Sequence, residues 1–115
     1  MRIHDAFKNL RFVGQAEGDK KAYYIFESDK GYLVVAPRSR NTFNANGVER
    51  EAVEVVSRRF RGRKVTSGVV RRKSRRPDLF ADNLKALNVL YAMVASGRAI
   101  KLRERDGRAM VFKVR

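Results

Sequence analysis

The chain has 115 residues and a mass of 13.2 kDa, the size of one ordinary domain with a single core, which argues against a second, catalytic domain. Hydrophobic residues make up 43% and charged residues 34%, with 27 Lys and Arg against 12 Asp and Glu; such a chain collapses rather than staying disordered, and its net charge of +15 makes a polyanion the default partner. There is no cysteine and one histidine, His4, so disulfides, thiolate nucleophiles, iron–sulfur clusters and the usual structural zinc sites are excluded.

In chain order, Met1 to Leu10 carries His4, Asp5, Lys8 and Asn9 and lacks the unbroken apolar run of a secretory signal. A short helical turn at Asp5–Leu10 and a cytoplasmic location are expected. Arg11–Val13, Ala22–Glu27 and Tyr32–Ala36 are rich in aromatic and β-branched residues and are separated by glycine-containing turns, the signature of a three-stranded antiparallel meander. Asp29-Lys30-Gly31 has the form of a three-residue hairpin loop with a left-handed glycine. Tyr23 to Phe26 are apolar on both strand faces; one face packs on the helices, and Tyr23, Tyr24, Phe26 and Tyr32 suit core or dimer packing or a platform for stacked bases. Pro37–Asn46 reads as a polar connector.

A helix is predicted from Val48, with Val48, Ala52, Val55, Val56 and Phe60 at the helical period. Glu49, Glu51 and Glu54 lie towards its start and Arg58, Arg59 and Arg61 at its end, the order the helix dipole favours, and Gly62 is its C-cap. Lys64 and Val65 are extended; Thr66 or Ser67 then caps a shorter helix through Val69 and Val70 into Arg71-Arg72-Lys73. Pro77 interrupts, and Asp78 or Asp82 caps a third helix whose stripe of Phe80, Leu84, Leu87, Tyr91 and Val94 ends at Gly97. This helix contains Lys85 and Asn88 and falls far short of the ~20 residues of a membrane span, so it is a core helix. Its opposite face, Asp82, Lys85, Val89, Ala92 and Met93, is largely apolar too and suits packing on the meander or a two-fold dimer contact. The tail, Arg98–Arg115, is two extended runs around Arg105-Asp106-Gly107. A two-residue turn would set Ile100 against Lys113 and Arg103 against Met110. A three-residue loop with Gly107 in a bulge instead pairs Ile100 with Phe112 and Leu102 with Met110, and is expected. The other face and tip then form a charged finger of Lys101, Arg103, Glu104, Arg105, Asp106 and Arg108.

Charge is distributed unevenly along these elements. Up to Ser57 there are 9 basic and 8 acidic residues, a net +1; beyond it there are 18 and 4, a net +14. Arg58 to Arg76 holds ten basic residues and no acidic one, a density that repels itself unless a polyanion neutralises it. Arginine outnumbers lysine 18 to 9, which favours bidentate grip on phosphate or guanine. Arg71-Arg72-Lys73-Ser74 also has the form of a basophilic kinase site, where a phosphate would oppose polyanion binding.

Helix, short strand, short helix, turn, longer helix and hairpin follow one another over residues 48–115. This order, with Leu90 through Gly97 into Ile100, Leu102, Gly107, Met110 and Phe112, resembles the winged helix-turn-helix DNA-binding superfamily. The expected fold is therefore α+β in a single domain, 1–115: a three-stranded antiparallel meander (1–40), then a three-helix winged helix-turn-helix unit (48–115) with a C-terminal β-hairpin wing. The resemblance implies that the third helix meets the major groove through its N-terminal residues while the wing reaches adjacent backbone or minor groove. It assigns Arg75, Arg76, Asn83 and Lys85 to the start of that helix, Arg71, Arg72 and Lys73 to phosphates, and Arg103, Arg105 and Arg108 to the wing tip. Asn83 or Asn88 has the side chain for a bidentate contact to adenine.

The expected function is duplex DNA binding, as a transcriptional regulator or a chromosome-organising protein, with no cofactor, no metal and no membrane, and with a homodimer as the second expected partner. The alternative is a basic α+β protein that binds RNA or the ribosome. An enzyme is not expected, since one histidine and scattered carboxylates supply no nucleophile, base or metal cluster, and Glu51 and Glu54 are better explained by pairing with arginines.

Overall fold

The computed structural model describes residues 9–115; His4 and most of the expected Asp5–Leu10 turn lie outside the described residues. Strands β1 (Arg11–Glu17), β2 (Ala22–Ser28), β3 (Gly31–Ser39) and β4 (Thr42–Glu49) form one antiparallel sheet in chain order. The meander thus has four strands rather than the predicted three, and Pro37–Asn46 is no connector. It comprises the end of β3, a two-residue Arg40-Asn41 turn and most of β4. Thr42 to Gly47 reads as loop because asparagine and glycine have low strand preference. Pairing overrides that preference: β4 is an edge strand laddered to β3 from Gly31↔Glu49 to Ser39↔Thr42, and Asn41 takes the positive φ, 59°, that its tight turn uses.

The β2–β3 loop is also one residue shorter than predicted. Asp29 and Lys30 make the turn, and Gly31 is already in β3 opposite Ser28. Gly31 has φ +151°, and a Cβ there would lie 2.2 Å from the Val48 carbonyl oxygen. Gly31→Ala is therefore expected to destabilise the fold by about 2–3 kcal/mol, read as a lower urea midpoint at unchanged m-value.

Helix α1 (Arg50–Arg59) follows β4 without a loop, so Val48 sits in β4 opposite Tyr32 instead of opening the helix. Thr66 caps α2 (Ser67–Lys73), its Oγ1 accepting from the Val69 backbone N–H at 3.2 Å. Asp82 caps α3 (Asn83–Ala95) by accepting from the Lys85 N–H at 2.8 Å. A Schellman motif ends α3: Gly97 has φ +80°, Arg98 N–H donates to Met93 at 2.7 Å, and Gly97 N–H donates to Val94 at 3.1 Å.

The predicted stripe lies in or against the core at Phe80, Leu87, Tyr91 and Val94, but it is only part of the buried surface of α3. Leu84 is 62% exposed, whereas Ala86 and Asn88 through Met93 are all buried. The cause is position: α3 lies between β1–β4 on one side and α1, α2 and β6 on the other, and a helix covered on both sides is apolar all round. Tyr91 joins the two sides, with its ring stacked on Tyr23 at 4.3 Å and edge-on to Phe112 at 6.3 Å. One hydrophobic core runs from Ile25 and Val34 through Tyr91 to Phe112 and Val114.

The C-terminal hairpin, β6 (Ala99–Asp106) and β7 (Ala109–Val114), is part of a three-stranded sheet in the order β5-β7-β6, where β5 is Lys64–Val65. Its register differs from the predicted one. Gly107 and Arg108 make a two-residue turn, with Gly107 at φ +61°, and at the base Ile100 faces Lys113 and Lys101 faces Phe112. A bulge between Lys101 and Arg105 absorbs the slip. Phe112 and Val114 are fully buried, and Val65 of β5 pairs with Phe112; these contacts set β7, and Ile100 is left 46% exposed. The architecture is therefore α+β, as expected, but built from a four-stranded sheet, three helices among the described residues and a three-stranded sheet. The expected three-stranded meander followed by helices and a two-stranded wing is replaced by this arrangement.

Candidate nucleic-acid interface

The last turn of α1 carries Arg58 and Arg59, and Phe60 caps it. Gly62, at φ +75°, then redirects the chain into Arg63. Helix α2 ends on Arg71-Arg72-Lys73. Between these two helix ends lies a concavity of about 340 Å³ lined by Arg59, Phe60, Arg63, Arg72, Lys73 and Arg75. A second concavity shares Arg59 and adds Val55, Arg58 and Arg76. Folding has thus brought the two arms of the basic run, 58–63 and 71–76, to a common place.

No carboxylate lines the first concavity, and among the described residues its five cations form no ion pair. Part of their charge serves the fold. Arg59 Nη1 donates to the Lys73 carbonyl at 3.5 Å, and the Arg63 guanidinium lies 5.9 Å from the Phe60 ring centre. Two helix C-termini contribute about −0.5 each, so roughly +4 of the five charges is left uncompensated. Arg75 adds a backbone feature: it follows the Ser74 cap with φ +57°, a position usually given to glycine, at a cost of about 1–2 kcal/mol for a residue with a Cβ.

The other residues singled out in the sequence have varied surroundings. Arg71 Nε donates to Asn83 Oδ1 at 2.8 Å, which engages the amide at the start of α3. Arg76 donates to Asp78 at 3.0 and 2.9 Å and to Glu51 at 2.8 Å; the Asp78 and Glu51 carboxylates raise its pKa further, and Arg76 in turn holds the Asp78 carboxyl below its usual range. Lys85 Nζ lies 3.5 Å from Glu49. In the wing, Arg103 and Arg108 are exposed, whereas Arg105 is bonded to Asp19 in the β1–β2 turn and to the Arg108 carbonyl at 3.2 Å. The tip is thereby tied to the four-stranded sheet, and Arg105 lowers the Asp19 pKa.

Helix α3 presents little to a groove. Asn83 and Leu84 are exposed and Lys85 is half-buried, but the body of the helix is covered. Asn88 is 4% exposed and lines a separate concavity with Asn46, Gly47, Asp82, Leu84 and Lys85. The sheet aromatics divide as well. Tyr23 and Tyr32 belong to the core, while Tyr24 and Phe26 lie on the opposite face, where Phe12 meets Phe26 edge-on at 5.4 Å. Ser74 is fully buried, with its Oγ bonded to the Arg71 carbonyl and the Arg76 N–H, so the kinase-like string does not offer its hydroxyl. Glu51 and Glu54 pair with Arg76 and Arg98 at 2.8 and 2.9 Å.

Arg59 and Arg63 were not among the candidate site residues. Their membership in the carboxylate-free run was the available signal; the convergence of two helix ends was not readable from it. Among the described residues, no helix is long and apolar enough to cross a membrane. No protein-family model, curated protein or solved structure matches this chain.

Proposed function

We propose that the protein binds duplex DNA chiefly through the phosphate backbone, in the manner of a chromosome-organising protein rather than a reader of base edges. The carrying observation is the carboxylate-free concavity formed by Arg59, Arg63, Arg72, Lys73 and Arg75. Clustered cations of this kind release counterions from a duplex, which gives affinity without sequence information. The likeness of residues 48–115 to a winged helix-turn-helix belongs to this reading as an order of elements, with α1, β5, α2, α3, β6 and β7 in succession and β5 beside β7. Base reading by α3 is given a minor part because its body is buried. The exposed Arg103 and Arg108 extend the contact to a neighbouring stretch of backbone.

Fluorescence anisotropy with labelled duplex DNA, single-stranded DNA and an RNA hairpin, each over a salt series, tests the proposal. Five phosphate contacts predict a log–log salt slope of about −4.5 for duplex DNA, with affinities differing little among duplex sequences. Tighter binding to the RNA hairpin, or a slope shallower than about −1, would overturn it in favour of an RNA partner or a non-nucleic one.

A further inference from the structure

We propose that the concavity between the ends of α1 and α2 is also a site for a compact free oligophosphate of three or more linked phosphates. Occupation of this site would compete with nucleic acid. The binding stands apart from the nucleic-acid reading, and only the competition rests on it.

Charge stoichiometry is the first argument. An internal phosphodiester brings a single negative charge to any one place, and the next phosphates of the strand lie further off along its backbone. A triphosphate brings about −3 to −4 in a small volume, close to the roughly +4 left here after the two helix ends are counted. Shape is the second: the cations line an open concavity of about 340 Å³, within the ~300–1,000 Å³ span of small-ligand sites, rather than studding a ridge. Donor chemistry is the third, because four guanidinium forks and one ammonium suit clustered phosphate oxygens.

Elsewhere in the described chain Arg76, Lys85, Arg98, Arg105 and Lys64 each face a carboxylate. This cavity is built without one. Arg75 also holds a cation at its wall in a left-handed backbone conformation that glycine would adopt without strain, and strain kept in place gathers at ligand sites.

Calorimetric titration of the full chain at physiological salt with inorganic tripolyphosphate, orthophosphate, ATP and GTP tests the proposal. One equivalent of tripolyphosphate is expected to bind at least about tenfold tighter than orthophosphate. ATP and GTP matching tripolyphosphate assign the site to the phosphate chain alone; either nucleotide binding about tenfold tighter assigns it to a nucleotide. Arg63→Gln with Lys73→Gln should lower the affinity by about tenfold or more, while the charge-matched Arg38→Gln with Arg40→Gln, at the end of β3 and in the turn that follows it, leaves it unchanged. Arg75→Gly should also weaken binding while melting no lower than the parent, which separates ligand loss from unfolding. The proposal is overturned if tripolyphosphate binds no tighter than orthophosphate, if it binds at several weak sites, or if the two double variants lose affinity equally. Tripolyphosphate binding by a protein that ignores duplex DNA would retain this site and remove the nucleic-acid reading. Duplex binding that bound tripolyphosphate fails to displace would retain the oligophosphate site and overturn the competition.

Discussion

Replacing Arg59, Arg63, Arg72 and Lys73 together with alanine is expected to lower affinity for duplex DNA by about 10²- to 10³-fold at 0.15 M salt and to flatten the salt slope by about 3–4 units. Each lost phosphate contact removes ~0.9 from the log–log slope, and these four side chains share one concavity without a carboxylate. Arg76→Ala provides the contrast. Its guanidinium is engaged by Asp78 and Glu51, so a phosphate must first displace two carboxylates, and the slope should change by less than about one unit. Anisotropy titrations with circular-dichroism melts on the same samples check both results. Equal losses from Arg76→Ala and the fourfold variant would show that the cluster is not the gripping surface and that only net charge matters.

Tyr91→Ala is expected to destabilise the protein by about 3–5 kcal/mol, the range for emptying a buried aromatic site, and to lower the melting temperature by roughly 15 °C at this chain length. Tyr91 is 2% exposed, stacks on Tyr23 of β2, and meets Phe112 of β7 edge-on. Its removal therefore weakens both sides of α3 at once. Tyr91→Phe keeps both ring contacts and gives up a hydroxyl that donates to Met110 Sδ at a long 3.9 Å, so its cost should stay below about 1 kcal/mol. Burial, which also pushes the Tyr91 phenol pKa upward, is the common cause. Thermal unfolding of both variants provides the measurement. An alanine variant that melts within a few degrees of the parent would mean that the sheet does not clamp the helix.

Local patterns made much of this architecture legible before folding. The periodicity of Ala52, Val55, Val56 and Phe60 identified α1, and the Thr66 and Asp82 caps were among the residues capable of that role. Gly97 marked the end of α3. Each of these signals acts within about a turn or two of helix, where backbone geometry and side-chain type suffice. β4 was not legible, because Thr42 to Gly47 has the composition of a loop and becomes a strand only through its ladder with β3. The wing register was not legible for a related reason: the contacts of Phe112 with β5 and the core outweigh the local alternation that would bury Ile100.

The candidate site divides in the same way. By itself the sequence determined that the C-terminal half carries nearly all the excess charge, that Arg58 to Arg76 contains no carboxylate, and that the chain has one histidine and no cysteine. Tertiary structure decided which cations remain free. Arg105 is engaged by Asp19, distant in the chain, and Arg76 by Glu51 on α1; neither partnership has a local signature. It also decided that α3 lies between two sheets, and that Arg59 and Arg63 join Arg72, Lys73 and Arg75 around one cavity. The physical reason is range: propensity and periodicity act between near neighbours in the chain, whereas strand pairing, burial on two sides and ion pairing depend on residues that only the completed fold brings together.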